Sequence, residues 1–419
     1  MRRHQFEAHL AKVFDWDGLV AALPEGRKYP AHPWPKVFDA VFLGSACQFG
    51  PVHRIEAECK QGALRKRIGP LSEDTIGYAL QRQAPGPIFD LGCMVAKRLK
   101  RNGVLRSDWS RGRIVAAVDG IEICSSYCRC CQACLERTVE RKVDGEPQKC
   151  TQYYHRLSAV TLASTPFPVF LGIRFQKAGE TEVACSLALL KELSERLGRR
   201  FMDVLVADAI YLQTPFIREV ESLGLEWVIN LKDNQPDLAS EAERLTNRPA
   251  DYHQASPQED LQLWHLPEVD WPVADRLVRV VKTVRLQNAK RVQIQKQADS
   301  DIKVKTKQPA PILSTNFYAT NVDLVAIPPL FIHQLGRSRW TIDAQVFQTI
   351  TTDCHLKQPS VHPSCALIVL TMIRVLAYNL TMVFYYRQVR SHCRTTPPSF
   401  CEMARQLAYR FLTVRFDSS

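Results

Sequence analysis

Two runs of small and β-branched residues, Ile114 to Val118 and Val204 to Ala207, are each followed at once by an aspartate, Asp119 and Asp208. Such runs read as strands buried on both faces, the pattern of sheets covered by helices. An unpaired carboxylate is costly there, so each aspartate is expected at a strand end, facing a partner. If the two strands are neighbours, the acids converge, and converging carboxylates share a proton or bind a cation. Hard oxygen donors with open water positions suit Mg²⁺ or Mn²⁺.

The rest of the chain divides around these runs. Residues 1–106 read as helical, with Ser72 as an N-cap ahead of Ile76, Ala79 and Leu80. Lys60, Arg65, Lys66 and Arg67 precede that helix, and Lys97, Arg98, Lys100, Arg101 and Arg106 follow it. The segment is therefore expected to be a helical DNA-binding domain, with a solvated helical face as the plainer reading. From Arg113 the pattern turns to strands: Ile114 to Val118, Tyr154 to Ala163 and Phe167 to Phe175, then a helical stripe from Thr181 to Leu197. Strands and helix together predict a mixed α/β sheet flanked by helices.

A first core segment is expected over 107–236, interrupted by a cysteine-rich loop at 124–150. Residues 237–325 read as a β-rich insertion with an exposed basic loop at Lys303 to Lys307. Core structure resumes over 326–392, followed by a basic tail at 393–419. The apolar stretch Cys365 to Tyr386 contains Arg374 and Asn379, so it reads as a buried core helix and not a membrane span.

Charge and cysteine usage narrow the setting. Lys and Arg outnumber Asp and Glu by 55 to 43, and the resulting +12 favours a polyanionic partner. No secretory signal is visible in the opening residues, which places the expected site of action in the cytoplasm, in association with the nucleoid. Fourteen cysteines then argue for thiols or metal ligands instead of a disulfide framework. No phosphate-cradling glycine loop occurs, which excludes a P-loop nucleotide triphosphatase.

After the insertion comes Gly336-Arg-Ser-Arg339-Trp340-Thr-Ile342-Asp343, in which Arg339 and Asp343, four apart, are expected to share a helix face. An aspartate after the first core strand, a second after a later strand, a β-rich insertion and an Arg-Trp-x-Ile-acid helix resemble the DDE transposases of bacterial insertion sequences. The resemblance covers roughly residues 113–390 and implies a ribonuclease H-like core. It makes Asp119, Asp208 and Asp343 the catalytic, Mg²⁺-binding acids, Asp343 standing where the family has glutamate. The family's tyrosine three before the arginine and its lysine seven after the acid are replaced by Gly336 and Ile350. Arg339 is expected to hold a phosphate, and Lys232, His155, Arg156, Arg129 and Arg137 are the other expected DNA contacts.

The implied activity is metal-dependent cleavage and transfer of DNA strands at the terminal inverted repeats and target DNA, by a homodimer on paired ends. The alternative is a catalytically inactive DNA-binding relic or repressor, favoured by Gly336, Ile350 and the shortened acid. For the single residues, plainer readings stand beside these: His155 as a packed strand histidine, Lys232-Asp-Asn234 as a turn, Arg339 and Asp343 as an exposed intrahelical pair.

Cys128-Arg-Cys130-Cys131-Gln-Ala-Cys134 follows Asp119 closely. Cys131-x-x-Cys134 has the spacing of a zinc knuckle, and Cys128 and Cys150 are the expected further ligands of a structural Zn²⁺ site, with Cys124 or His155 as alternatives. A thiol-rich loop or redox-sensitive cysteines explain the same cluster without metal. A zinc-dependent hydrolase is disfavoured, because it needs an open metal position among histidines and carboxylates.

Overall fold

The computed structural model describes residues 3–143, 146–165, 167–256, 259–287, 311–323, 327–362, 364–393 and 396–412. Six helices open the chain: α1 (Arg3–Phe14), α2 (Trp16–Ala21), α3 (Trp34–Ala46), α4 (Val52–Lys60), α5 (Glu73–Arg82) and α6 (Pro85–Arg101). The expected cap is present. Ser72 Oγ accepts the Thr75 backbone N–H at 3.2 Å, a bond that stabilises a helix start by about 1 kcal/mol.

The strands are β1 (Val115–Ser126), β2 (Leu135–Val143), β3 (Glu146–Leu162), β4 (Phe170–Phe175), β5 (Val204–Ala207), β6 (Glu226–Leu231), β7 (Tyr252–Ala255), β8 (Glu259–Trp271), β9 (Arg276–Gln287) and β10 (Ile312–Thr320). They lie in the order β2-β3-β1-β5-β6-β10-β9-β8-β7, with β4 paired to β3. The inner order β4-β3-β1-β5-β6, with β5 parallel to β1 and β6 parallel to β5, is that of a ribonuclease H-like sheet. Parallel neighbours need a crossover, supplied between β5 and β6 by α8 (Thr214–Ser222).

The chain falls into two compact units, one of residues 1–114, 118–201 and 340–419, the other of 115–117 and 202–339. In the first, α7 (Glu182–Leu197) packs on β3 and β4, and α12 (Ser364–Phe384) packs on α3, α5, α6 and β4. Arg374 and Asn379 of α12 are satisfied internally. Asn379 bonds both the N–H and the C=O of Phe170 at 2.8 Å, and Arg374 donates to the carbonyls of His355, Gln358 and Gly50. Among the described residues only the helical stretch containing α12 is long and apolar enough to cross a membrane, and 89% of its most apolar window is buried. It is a core helix.

In the second unit Val115–Ala117 of β1 pair with Val204–Val206 of β5, and α10 (Pro329–Ser338) packs on β5, β6 and β9. The β-rich insertion extends this same sheet, because β10 pairs antiparallel with β6 and β9, β8 and β7 follow in turn. Between them α9 (Pro236–Leu245) covers β8. The basic run Lys303 to Lys307 lies outside the described residues.

Three expectations need correction. The segment 124–150 is not a loop: β1 reaches Ser126, and β2 and β3 form a long ribbon registered Leu135↔Tyr154 to Val143↔Glu146, so that among its described residues only 127–134 are irregular. The region read as a basic tail contains a helix, α13 (Phe400–Leu412), whose Met403, Ala404, Leu407 and Phe411 are buried. Finally, β1 does not stop at Asp119. Gly120 reads as a turn residue in sequence, yet it continues the strand, with the Glu182 carboxylate packed where its side chain would be, 2.7 Å from an added Cβ.

Candidate active site

The pairing of β1, β5 and β6 fixes where the acids stand along their strands. Val115↔Val204 and Ala117↔Val206 set one register, and Val206↔Val228 and Ala207↔Ile229 set the next. Two residues on from the first pairing come Asp119 and Asp208, and one residue on from the second come Asp208 and Asn230. Asp208 and Asn230 therefore occupy equivalent register positions, each just past an apolar stretch. Asn230 was not singled out from sequence, where its signal is one amide inside the apolar run Glu226–Leu231.

Asp208 ends β5 and caps the following short 3₁₀ turn, Ala209–Tyr211, accepting the Ala209 N–H at 2.7 Å. Lys232 Nζ lies 3.3 Å from its Oδ1, and Asn230 Nδ2 lies 3.4 Å from the same oxygen. Partial burial raises the carboxyl's pKa. The Ala209 N–H, the Arg339 guanidinium and the Lys232 ammonium outweigh that and hold it below its ordinary value of 3.8. The turn is braced from behind: Asn234 donates to Ala209 O and Gln235 to Leu212 O, both at 2.7 Å, and Trp271 Nε1 fixes Gln235 at 2.9 Å. Lys232-Asp-Asn234 is thus a turn that orients Asp208.

Arg339 and Asp343 stand where the helix changes its geometry. Helix α10 ends at Ser338 with Arg339 as its C-cap, and residues Ile342–Phe347 form a π-helical turn ahead of α11 (Gln348–Thr352). Arg339 is 8% exposed whereas Asp343 faces solvent.

The two departures from the family signature have physical explanations. At Gly336 an added Cβ would lie 2.2 Å from the Tyr318 ring, so the ring of Tyr318 in β10 fills the space that a side chain at 336 would need. Ile350 is fully buried in α11, where a lysine would have to surrender its hydration.

The expected DNA contacts fare differently. Arg156 pairs with Glu182 beside Gly120, and strand alternation puts Gly120 on the sheet face opposite to Asp119. Arg137 is fully engaged: its guanidinium takes Glu122 at 2.8 and 3.2 Å and Gln152 at 2.7 Å and stacks 4.6 Å from the Tyr154 ring centroid. Arg129 and Lys232 are exposed. His155 is 4% exposed, which removes it from any DNA-facing surface. Its ring instead meets Cys131 and Cys134, and among the described residues this Cys₂His group could hold a metal ion. Cys128 is exposed, and Cys150 pairs opposite Val139, five residues along β3 from His155; neither joins the group.

In sequence, the Transposase DDE domain family matches residues 132–380. The chain belongs to the DDE transposase family. The matched span holds Asp208, Arg339 and Asp343, with Asp119 thirteen residues ahead of it. No curated protein matches in sequence. Among solved structures, the chain is similar to the piggyBac transposase of a synaptic complex with hairpin DNA, seen by electron cryo-microscopy, at TM-score 0.44 and 10% identity over 98% of this chain and 79% of that one.

Proposed function

We propose that this DDE transposase family member is a working DNA transposase, with Asp119, Asp208 and Asp343 as its metal-binding acids. The observation that carries the reading is the parallel pairing of Val115–Ala117 with Val204–Val206, the two apolar runs that lead to Asp119 and Asp208. The donor set fits a hard divalent cation: carboxylates, one of them held ionised by its surroundings. When bound, Mg²⁺ or Mn²⁺ would activate water or a 3′-hydroxyl and stabilise the leaving oxygen during in-line attack on a phosphodiester.

The chain's own residues prepare that chemistry. Ala209 N–H, Arg339 and Lys232 keep Asp208 deprotonated, and the Lys232 ammonium stands at the carboxylate as a monovalent stand-in for the cation. Once displaced, Lys232, with 62% of its side chain exposed, is free to take a DNA phosphate. Buried Arg339 acts by positioning and neutralising Asp208. Arg129, exposed in the loop ahead of β2, offers a further phosphate contact. The proposed substrates are the terminal inverted repeats and a target duplex, brought together by two copies of the chain in the cytoplasm, at the nucleoid.

Gly336 and Ile350 do not favour the inactive alternative, since Tyr318 and the buried core account for both. The test uses labelled duplexes carrying the inverted repeats that flank the reading frame. Nicked and joined products in Mg²⁺ are expected. Binding without any strand breakage, unchanged by Asp119→Ala, would leave the DNA-binding relic as the correct reading.

A further inference from the structure

The Cys131 and Cys134 sulfurs are 3.7 Å apart, and they lie 3.4 and 3.3 Å from His155 Nε2. Zinc bonded at about 2.3 Å to sulfur and about 2.0 Å to nitrogen spaces the corners of its tetrahedron by about 3.8 Å (S···S) and about 3.5 Å (S···N). The three atoms therefore already describe one face of such a tetrahedron. A disulfide does not explain them, because bonded sulfurs stand about 2.05 Å apart and both thiols are free.

The local backbone supports the same assignment. The Cys131 N–H points at Cys134 Sγ at 3.2 Å, and Cys134 N–H closes a turn on Cys131 O at 3.0 Å. Such a turn presents two sulfurs to one point. Beyond them opens a cavity of about 740 Å³ lined by Cys134, His155, Lys357 and His362 among others. His362 is the other imidazole on this cavity, its ring centroid 6.1 Å from that of His155.

We infer that Cys131, Cys134 and His155 bind a structural zinc ion and that His362 completes its tetrahedron. Cys131 and Cys134 lead into β2, His155 lies on β3, and His362 stands two residues ahead of α12. The ion ties the β2–β3 ribbon to the segment that enters the core helix, all within one compact unit. This replaces Cys128 and Cys150 as ligands and is independent of strand cleavage.

The test is metal analysis of the full chain purified from zinc-supplemented cells, with no DNA present. One zinc per chain is expected, lost in Cys131→Ser and Cys134→Ser and retained in Cys128→Ser and Cys150→Ser. His362→Ala should weaken zinc at least tenfold in competition with a chromogenic chelator, with Cys124→Ser unchanged. Should the cysteine variants fail to fold, cobalt exchanged into the unaltered chain must show thiolate charge-transfer absorption and tetrahedral d–d bands. Zinc-free protein whose thiols alkylate equally fast with and without added zinc would overturn the site, as would zinc retained without Cys131 and Cys134. Weakening by Cys124→Ser in place of His362→Ala would overturn the fourth ligand.

Discussion

Lys232 Nζ stands 3.3 Å from Asp208 Oδ1, so the carboxylate at the end of β5 meets a cation even in the protein alone. Because the folded pKa of Asp208 lies below its ordinary 3.8, the group contributes stability above that value and loses it as pH falls through the lowered one. Lys232→Met removes one of the stabilising charges. Its acid unfolding midpoint should shift to higher pH, with a loss at neutral pH of no more than about 1 kcal/mol, since the pair is partly screened by solvent. Calorimetry of Mg²⁺ binding should show tighter binding in Lys232→Met, because the ammonium no longer competes. Unchanged acid unfolding would remove Lys232 from the account of Asp208.

Tyr318 and Gly336 form a matched pair of ring and missing side chain. Gly336→Ala should destabilise the chain by about 1–3 kcal/mol, the usual range for overpacking a filled core. Tyr318→Leu in the same chain should return part of the loss, and a thermal melt of the single and double variants reads the coupling.

His333 is buried on α10 against the Tyr318 ring, and its Nδ1 finds no partner among the described residues. Burial first, then the charges of Arg337 and Arg285, lower its pKa from 6.5 to about 4. The folded protein keeps the ring neutral while the unfolded chain protonates it. This contribution is therefore intact above pH 6.5, falls between there and about 4, and is flat below. The full difference is about 3 kcal/mol at most. Urea unfolding at pH 7 and pH 4.5 should show the fall, reduced in His333→Phe; an identical slope in that variant would assign it to other groups.

Restoring the family residues should have unequal effects. Asp343 is exposed in a π-helical turn, so Asp343→Glu should fold with a melting temperature close to that of the parent and retain strand cleavage. Ile350 is fully buried, so Ile350→Lys should destabilise by roughly 3 kcal/mol or more, measurable as a fall in the urea midpoint.

The strands carrying Asp119 and Asp208 were legible because burial on both faces leaves an uninterrupted apolar run, and a carboxylate at its end stands out. What lay hidden depends on register and distant contacts. Gly120 looks like a turn in one dimension and is a close approach to Glu182 in three. Asn230 gains meaning only when β5 and β6 are aligned. Spacing marked Cys131 and Cys134, but choosing His155 over Cys128 and Cys150 required the β2–β3 register. Tyr318 and Gly336 are eighteen residues apart on different elements, and nothing local links them.

The most direct test of the central claim is cleavage of end-labelled inverted-repeat DNA by the full chain and by Asp119→Ala, Asp208→Ala and Asp343→Ala, with DNA binding measured alongside. The account predicts Mg²⁺-dependent strand cleavage by the parent, a fall of at least about 10³-fold in each variant, on the scale of lost charge stabilisation at a reacting centre, and binding retained in all four. Cleavage at the parental rate by Asp208→Ala, or by the parent with all divalent metal chelated, would contradict it.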